Sequence, residues 1–346
     1  MPLMQPLDRR TFLKMVTAGL IAPWGGPPVD GRDLPPLPPT LGRVTQSRLA
    51  IYTEPDPESG IIGRLRRDMI VPIFEQVDTV GLADHNPRWF RIRTGWVYSS
   101  YVQPVRDDRQ RVVVRQVPRA GFWGQISVPF SNARLRPVST APITYRLYYS
   151  SVHLLTAAEQ DQRGQWWYRI QDDFTGLRHY VRADHARPIP PEEMSPLSAD
   201  VEDKLIEVDL DKQIVRAYEN GAEVYSARCA TGTTFSIEGM GALDYTTPTG
   251  KHRIVRKRPS RHMIGSQGRS DFYDLPGVPF CTYFTEHGAA IHGAYWHNDF
   301  GRPRSHGCVN VLAADALWFY RWSNPTAPYE EPLTLVKDGG TPVVVG

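Results

Sequence analysis

Ser305-His306-Gly307-Cys308-Val309-Asn310, with Ile291-His292-Gly293 upstream, is the stretch on which the reading of this chain turns. A cysteine beside glycine and histidine, with a second histidine within loop reach, supplies a nucleophile, a base and flexible backbone amides. Those are the parts needed to break and remake an acyl bond. A free thiol titrates near about 8.5, so attack at neutral pH needs something that favours the thiolate. Two sources are readable: a histidine that accepts the proton, and a helix starting just after Asn310 whose positive end faces the sulfur. Gly307 lets the backbone turn sharply, so that the amides of Gly307 and Cys308 can converge on a developing oxyanion. Loss of one such donor typically costs about 3 kcal/mol of transition-state stabilisation.

Outward from this motif, residues 203–337 read as a β-rich domain. Leu205-Ile206-Glu207-Val208-Asp209-Leu210 and Gln213-Ile214-Val215-Arg216-Ala217-Tyr218 flank Asp211-Lys212, and Asn220-Gly221 supplies a tight turn before Glu223-Val224-Tyr225. One helix is expected, Ala313 to Trp322, stopping near Asn324-Pro325.

The N-terminal part is also mainly β. Short apolar runs such as Leu49-Ala50-Ile51-Tyr52, Ile70-Val71-Pro72-Ile73-Phe74 and Trp89-Phe90-Arg91-Ile92-Arg93 are separated by Pro, Gly, Asp and Asn. Trp89-Phe90-Arg91-Ile92 is echoed by Trp167-Tyr168-Arg169-Ile170, and Tyr101-Val102-Gln103-Pro104 by Tyr180-Val181-Arg182. The echo predicts a degenerate repeat of two small barrels, 42–105 and 110–188. Both resemble the bacterial form of the Src-homology-three barrel. Pro-rich spacers are expected at 25–41 and 189–202. Residues 1–24 resemble a twin-arginine translocation signal: Arg9-Arg10 precede Phe12-Leu13-Lys14, and the apolar run Met15 to Ala22 is far shorter than the roughly 20 residues a membrane span needs. Export by this signal to the cell wall, the periplasm or the extracytoplasmic face of the membrane is the expectation.

Composition is that of a globular protein, with 41% hydrophobic and 22% charged residues. Forty basic against 37 acidic residues leave a net charge of +3, which offers no basic stripe for nucleic acid. The three cysteines, Cys229, Cys281 and Cys308, are too few for a disulfide framework. A Cys229–Cys281 bridge is left open, and oligomeric state is not legible.

Residues 203–336 resemble the L,D-transpeptidase catalytic domain, on the opening hairpins, Thr247-Pro248-Thr249-Gly250, Val278-Pro279-Phe280, Ile291-His292-Gly293 and Ser305 to Asn310 in order. The resemblance implies Cys308 as nucleophile and His292 as its base, with the Gly293 carbonyl orienting the imidazole. It places the oxyanion-hole amides at His306, Gly307 and Cys308, loop support at Ser305 and Asn310, and a substrate wall at Trp296 and Phe280. It further implies attack on a donor stem tetrapeptide of peptidoglycan, loss of D-alanine, a thioester, and capture by an acceptor stem amine in a three-to-three cross-link. Water in place of the amine gives an L,D-carboxypeptidase. No metal or organic cofactor is implied, and the barrels are expected to contact glycan or another wall polymer. The twelve residues at 293–304 make a shorter loop than is usual in that family.

Two rivals are weighed. A catalytically silent wall-binding protein is motivated by the tandem barrels. A zinc site can be written as His292, His297, His306 and Cys308, although this spacing lacks the helical pattern of metallopeptidases. His297 and His287 read as solvent-facing loop residues, Cys229 and Cys281 as buried thiols, and Arg256-Lys257-Arg258 as a solvated edge.

Overall fold

The structure, a computed structural model, describes residues 40–237, 239–336 and 339–346. The expected signal and nearly all of the first spacer lie outside the described residues.

The first unit is built from β1 (Thr40–Val44), β2 (Arg48–Tyr52), β3 (Ile61–Arg66), β4 (Ile70–Ile73), β5 (Glu75–Ala83), β6 (Asn86–Ile92), β7 (Gly95–Tyr98) and β8 (Val102–Val105). One sheet runs β3-β2-β7-β6-β5 and the other β4-β1-β8. Period-two alternation points Leu49 and Ile51 of β2 inward, where they meet Leu65, Val71, Phe90, Val97 and Val102 in one apolar core. Each such side chain, fully buried, contributes about 1.5–3 kcal/mol.

The second unit comprises β9 (Phe122–Ile126), β10 (Phe130–Arg134), β11 (Ile143–Tyr148), β12 (Val152–Gln160), β13 (Trp166–Gln171), β14 (Arg178–Arg182) and β15 (Ala186–Pro188). Its order, β11-β10-β14-β13-β12-β9-β15, is that of the first unit, with the long β12 in the place of β4 and β5 together. A register shift between Leu155 and Ala157 lets β12 pair with β9 at one end and with β13 at the other. The repeat is therefore topological, and its first sequence echo holds: Phe90 faces Val97 across β6 and β7 as Tyr168 faces Val181 across β13 and β14. The second echo is displaced. Tyr180-Val181 corresponds to Trp96-Val97, whereas Tyr101-Val102 belongs to the 3-10 turn and closing strand that follow.

Residues 189–202 are not a free spacer. Ile189 and Met194 are 1% and 3% exposed and enter the core of the following domain, together with Trp123 and Val152 of the second unit.

That domain begins with β16 (Lys204–Asp209), β17 (Ile214–Glu219) and β18 (Ala222–Arg228), hinged at Asn220-Gly221 with φ of 50° and 78°. It continues with β19 (Thr234–Ile237), β20 (Gly241–Asp244), β21 (Gly250–Arg253), β22 (Arg256–Gly265), β23 (Tyr273–Tyr283), β24 (Ala290–Gly293) and β25 (Val309–Val311). It closes with α1 (Ala313–Trp322), β26 (Thr334–Leu335) and β27 (Pro342–Val345). One sheet runs β18-β17-β16-β27-β21, a second runs β25-β24-β23-β22-β26, and β19 pairs with β20 in a separate hairpin. Ile206, Val208 and Val215 of the first sheet share one core with Ile291, Val309 and Val311 of the second and with Ala316, Phe319 and Trp322 of α1. The helix runs over the residues expected for it. It does not start directly after Asn310, because β25 and Leu312 intervene.

Lys257 corrects the expected solvated edge. It is fully buried in β22, donates to the carbonyls of Ser323 (2.8 Å) and Pro325 (2.9 Å), and lies over the Tyr320 ring. Burial lowers its pKa to about 7. All three thiols are free, so Cys229 and Cys281 do not pair.

The three units meet at Arg43 of β1. Its guanidinium, 2% exposed, binds Gln103 and Asp68, stacks on Tyr148 of the second unit at 4.1 Å, and donates to the carbonyl of Tyr295. Asp68 also accepts from Arg146 at 2.8 Å, which joins the first two units.

Candidate active site

Cys308 and His292 are brought together by the parallel pairing of β24 and β25, in which Ile291 lies opposite Val309 and His292 opposite Asn310. Both side chains line one cleft of about 830 Å³. Their pairing depends on long-range topology: β24 and β25 are separated in sequence by the 294–308 loop, and parallel neighbours need such a crossover.

His292 is buried, and its Nδ1 lies 3.2 Å from the carbonyl oxygen of Gly293. A carbonyl can only accept, so the ring carries its proton on Nδ1 and keeps Nε2 as a base. A side chain at Gly293 has no room: a Cβ there would lie 2.7 Å from Pro279 and 2.8 Å from Ala313. Burial lowers the His292 pKa to about 4 and raises that of Cys308 to about 11, the thiol being aided only by the Ala290 amide. The resting pair is therefore neutral thiol and neutral imidazole. The helix expected to start just after Asn310 and face the sulfur begins beyond β25 instead, at Ala313.

The loop before the thiol is held by Ser305. Its hydroxyl donates to the Cys308 carbonyl and accepts from the Gly307 amide at 3.2 Å. The Gly307 N–H thus points at Ser305 and not into the cleft. Gly307 has φ of 107°, a left-handed conformation that favours glycine. Behind the loop, Thr233 donates to Ser305, and Arg304 and Ser305 donate to Thr231. Thr247, of the Thr-Pro-Thr-Gly motif, accepts from the Gly232 amide at 2.8 Å, which ties that distant motif to the same loop.

His306 forms a wall of the cleft. It stacks on Phe235 of β19 with ring centroids 4.2 Å apart, packs against Tyr273, and lies 3.1 Å from Asp271 through Nε2. Asp271 is fixed by Arg269 and Ser266. Trp296 also lines the cleft, its ring 5.8 Å from that of His292. Phe280, expected beside it, does not: it is 1% exposed, in the core under α1 against Tyr320, because its φ of 55° turns the strand.

His297 is a second correction. It is 1% exposed; its Nδ1 accepts from the Asp299 amide and its Nε2 is 3.1 Å from the Asn310 amide group. A neutral imidazole cannot accept twice, so Nε2 carries the proton and Asn310 turns its oxygen, otherwise without a partner, toward it. Asn310 thereby braces the 294–308 loop. The alternative metal set is not assembled: among the described residues no three His, Cys, Asp or Glu form a group that could hold a metal ion, and the rings of His292, His297 and His306 are turned to different partners.

Several site residues were not singled out in the sequence. Asp299, 1% exposed, accepts from Arg302 and Arg304 and pairs with His85 of the first unit at 2.8 Å, fixing the loop from across a domain boundary. Thr45, Gln46, Ser47 and Arg67 of the first unit form part of the cleft wall. None carries a local signal, because each acts through a neighbour remote in sequence.

Residues 203–345 match the family described as the L,D-transpeptidase catalytic domain (YkuD). That family comprises cysteine-dependent acyltransferases acting on peptidoglycan stem peptides. No curated protein matches the chain. Among solved structures it is similar to an Enterococcus faecium L,D-transpeptidase C442S mutant (23% identity, 42% of this chain, 50% of that chain, TM-score 0.31). It is also similar to residues 123–326 of the Xylanimonas cellulosilytica L,D-transpeptidase (25% identity, 48% and 74%, TM-score 0.29). A third is the L,D-transpeptidase from Mycobacterium smegmatis (16% identity, 54% and 80%, TM-score 0.32). The chain spans about half the length of the Enterococcus faecium protein.

Proposed function

We propose that this chain is an exported peptidoglycan L,D-transpeptidase that forms three-to-three cross-links through a thioester on Cys308. The observation that carries the reading is that Cys308, directly before β25, and His292, on the parallel neighbour β24, line one cleft, with Nδ1 of His292 held by Gly293 and Nε2 left as a base.

Burial disfavours both the thiolate and the imidazolium, so the resting state is neutral. The proton therefore moves to Nε2 as the bond from Sγ to the donor carbonyl carbon forms. The tetrahedral oxyanion is met by backbone amides; with the Gly307 amide engaged by Ser305, those of His306 and Cys308 are the candidates. The carbon–nitrogen bond to D-alanine breaks and the imidazolium protonates the leaving amine. An acceptor amine then attacks the thioester, gives its proton to Nε2, and the released sulfur recovers it. The first β unit, Src-homology-three-like by resemblance, shapes the cleft in this reading through Thr45, Gln46, Ser47 and Arg67.

Incubation with a tetrapeptide-bearing muropeptide is expected to give D-alanine and cross-linked dimer, and mass spectrometry to show a carbapenem adduct on Cys308. Cys308→Ala abolishes all three. Full turnover by that variant overturns the reading. D-alanine release without dimer assigns an L,D-carboxypeptidase instead, and sacculus binding without any adduct assigns a silent wall-binding protein.

A further inference from the structure

The cleft does not end at the thiol. Beyond Trp296 it continues into a second chamber of about 300 Å³ at the junction of the three units; Thr45, Arg67, Asp274, Leu275 and Trp296 line both spaces. The chamber has aromatic walls, Tyr145 and Tyr148 from the second unit and Tyr295 from the catalytic domain. Its charge is one-sided. Arg43, Arg67 and Arg146 line it against the single carboxylate of Asp274, and Asp274 is already committed to His262 at 2.6 Å. Arg43 and Arg146 share Asp68, whereas Arg67 is solvent-exposed and pairs with no carboxylate among the described residues. Two connections of the first unit, 45–47 between β1 and β2 and 67–69 between β3 and β4, therefore bring a free guanidinium and polar groups to the edge of the acyl-transfer cleft.

A reaction between two peptides needs two grooves that meet at the sulfur. One wall of the cleft is the Phe235, Asp271, Tyr273 and His306 cluster; the other leads past Trp296 to this chamber. We propose that the junction chamber is the subsite for the second, acceptor peptide, with Arg67 binding its free carboxylate and the tyrosines holding its backbone. The ligand class is an extended stem peptide with an unamidated carboxylate. The assignment of acceptor rests on the proposed function; the binding of a carboxylate-bearing peptide does not. Arg67 is a specificity residue contributed by a unit outside the catalytic domain, and the rigid seat of Arg43 keeps that unit in register with the thiol.

The full-length chain carrying Cys308→Ala is titrated with an acetylated stem tripeptide bearing a free carboxylate, and with its carboxamide. The free acid is expected to bind about tenfold more tightly than the amide, the usual scale for a charge-assisted hydrogen bond. Adding Arg67→Glu or Arg67→Gln should remove that preference, and rising salt should erode it. Equal binding of acid and amide, unchanged binding in the Arg67 variants, or no binding of either peptide overturns the subsite. The carbapenem adduct on Cys308 of the unmodified chain is measured in parallel. Its absence overturns the enzymatic reading separately, whatever the titration shows.

Discussion

His292 donates through Nδ1 to the carbonyl oxygen of its own chain neighbour, Gly293, at 3.2 Å. The ring proposed to take the thiol proton is thus oriented by a backbone atom one residue away. Gly293→Ala forces a Cβ to within 2.7 Å of Pro279, so the carbonyl and the ring both shift. A loss of about 100-fold in the rate of carbapenem adduct formation is expected, the low end of what a positioned general base contributes. A variant that acylates at the original rate contradicts the orienting role.

Burial sets the pH behaviour of the pair. With Cys308 raised to about 11, its alkylation by iodoacetamide should climb with pH well past neutrality and show no plateau near 8. Acylation assisted by His292 should instead fall away only as the pH drops toward about 4, where the imidazole gains a proton and ceases to be a base. Rate profiles of the two reactions on the same protein separate these limbs.

Acid should unfold the protein earlier than its carboxylates alone dictate. Burial lowers His153 and His297 to about 3 and His292 to about 4, while an unfolded histidine titrates near about 6.5. Between those values the unfolded chain binds protons that the folded chain refuses, so stability falls as the pH drops from about 6.5 toward 4. Each ring contributes up to about 1.4 kcal/mol per pH unit over that window. Chemical denaturation at pH 7, 6 and 5 measures it, and a flat stability across that range refutes it.

Lys257 extends the same trend into alkaline solutions. Its amine is lowered to about 7 in the fold and titrates near about 10.4 when unfolded, so stability should rise as the pH goes from 7 to 10. Lys257→Met should flatten that rise and leave the protein as stable as before at pH 7, or more so. The substitution removes a buried amine whose partners are carbonyls and an aromatic ring, with no carboxylate among them. Denaturation of both proteins at the two pH values decides the matter.

Arg43→Ala should loosen the junction of the three units. It leaves the Tyr295 carbonyl and Gln103 without their donor, although Asp68 keeps Arg146. A loss of about 2 kcal/mol is expected. Faster proteolysis between the first unit and the rest should accompany it. An intact junction in limited digestion argues that the stacking of Tyr148 on Tyr295, with centroids 5.8 Å apart, suffices without Arg43.

Much of this molecule is legible locally. Period-two alternation around Asp211-Lys212 and Asn220-Gly221 fixes the opening hairpins, and the apolar decamer before Asn324-Pro325 fixes the helix. The Trp89 and Trp167 runs reveal the repeated unit because both strands place the same residue types in the same core positions. Misreadings occurred where a residue's environment is supplied from elsewhere. Lys257 looks solvated beside two arginines, but the chain after α1 covers it. His297 looks like a loop residue until Asn310 and Asp299 close around it. Phe280 is turned inward by a backbone angle that no side-chain pattern announces.

By itself the sequence determined which groups can do chemistry: one thiol among glycine and histidine, one imidazole followed by a glycine, and strands enough to carry them. Only the tertiary structure decided their state. Removal from water makes both partners neutral, and the crossover between β24 and β25 brings them to one cleft. The docking of the first unit through Arg43 and His85 turns a groove in one domain into a cleft walled by two. Burial and long-range pairing are properties of the packed chain, and neighbouring letters do not encode them.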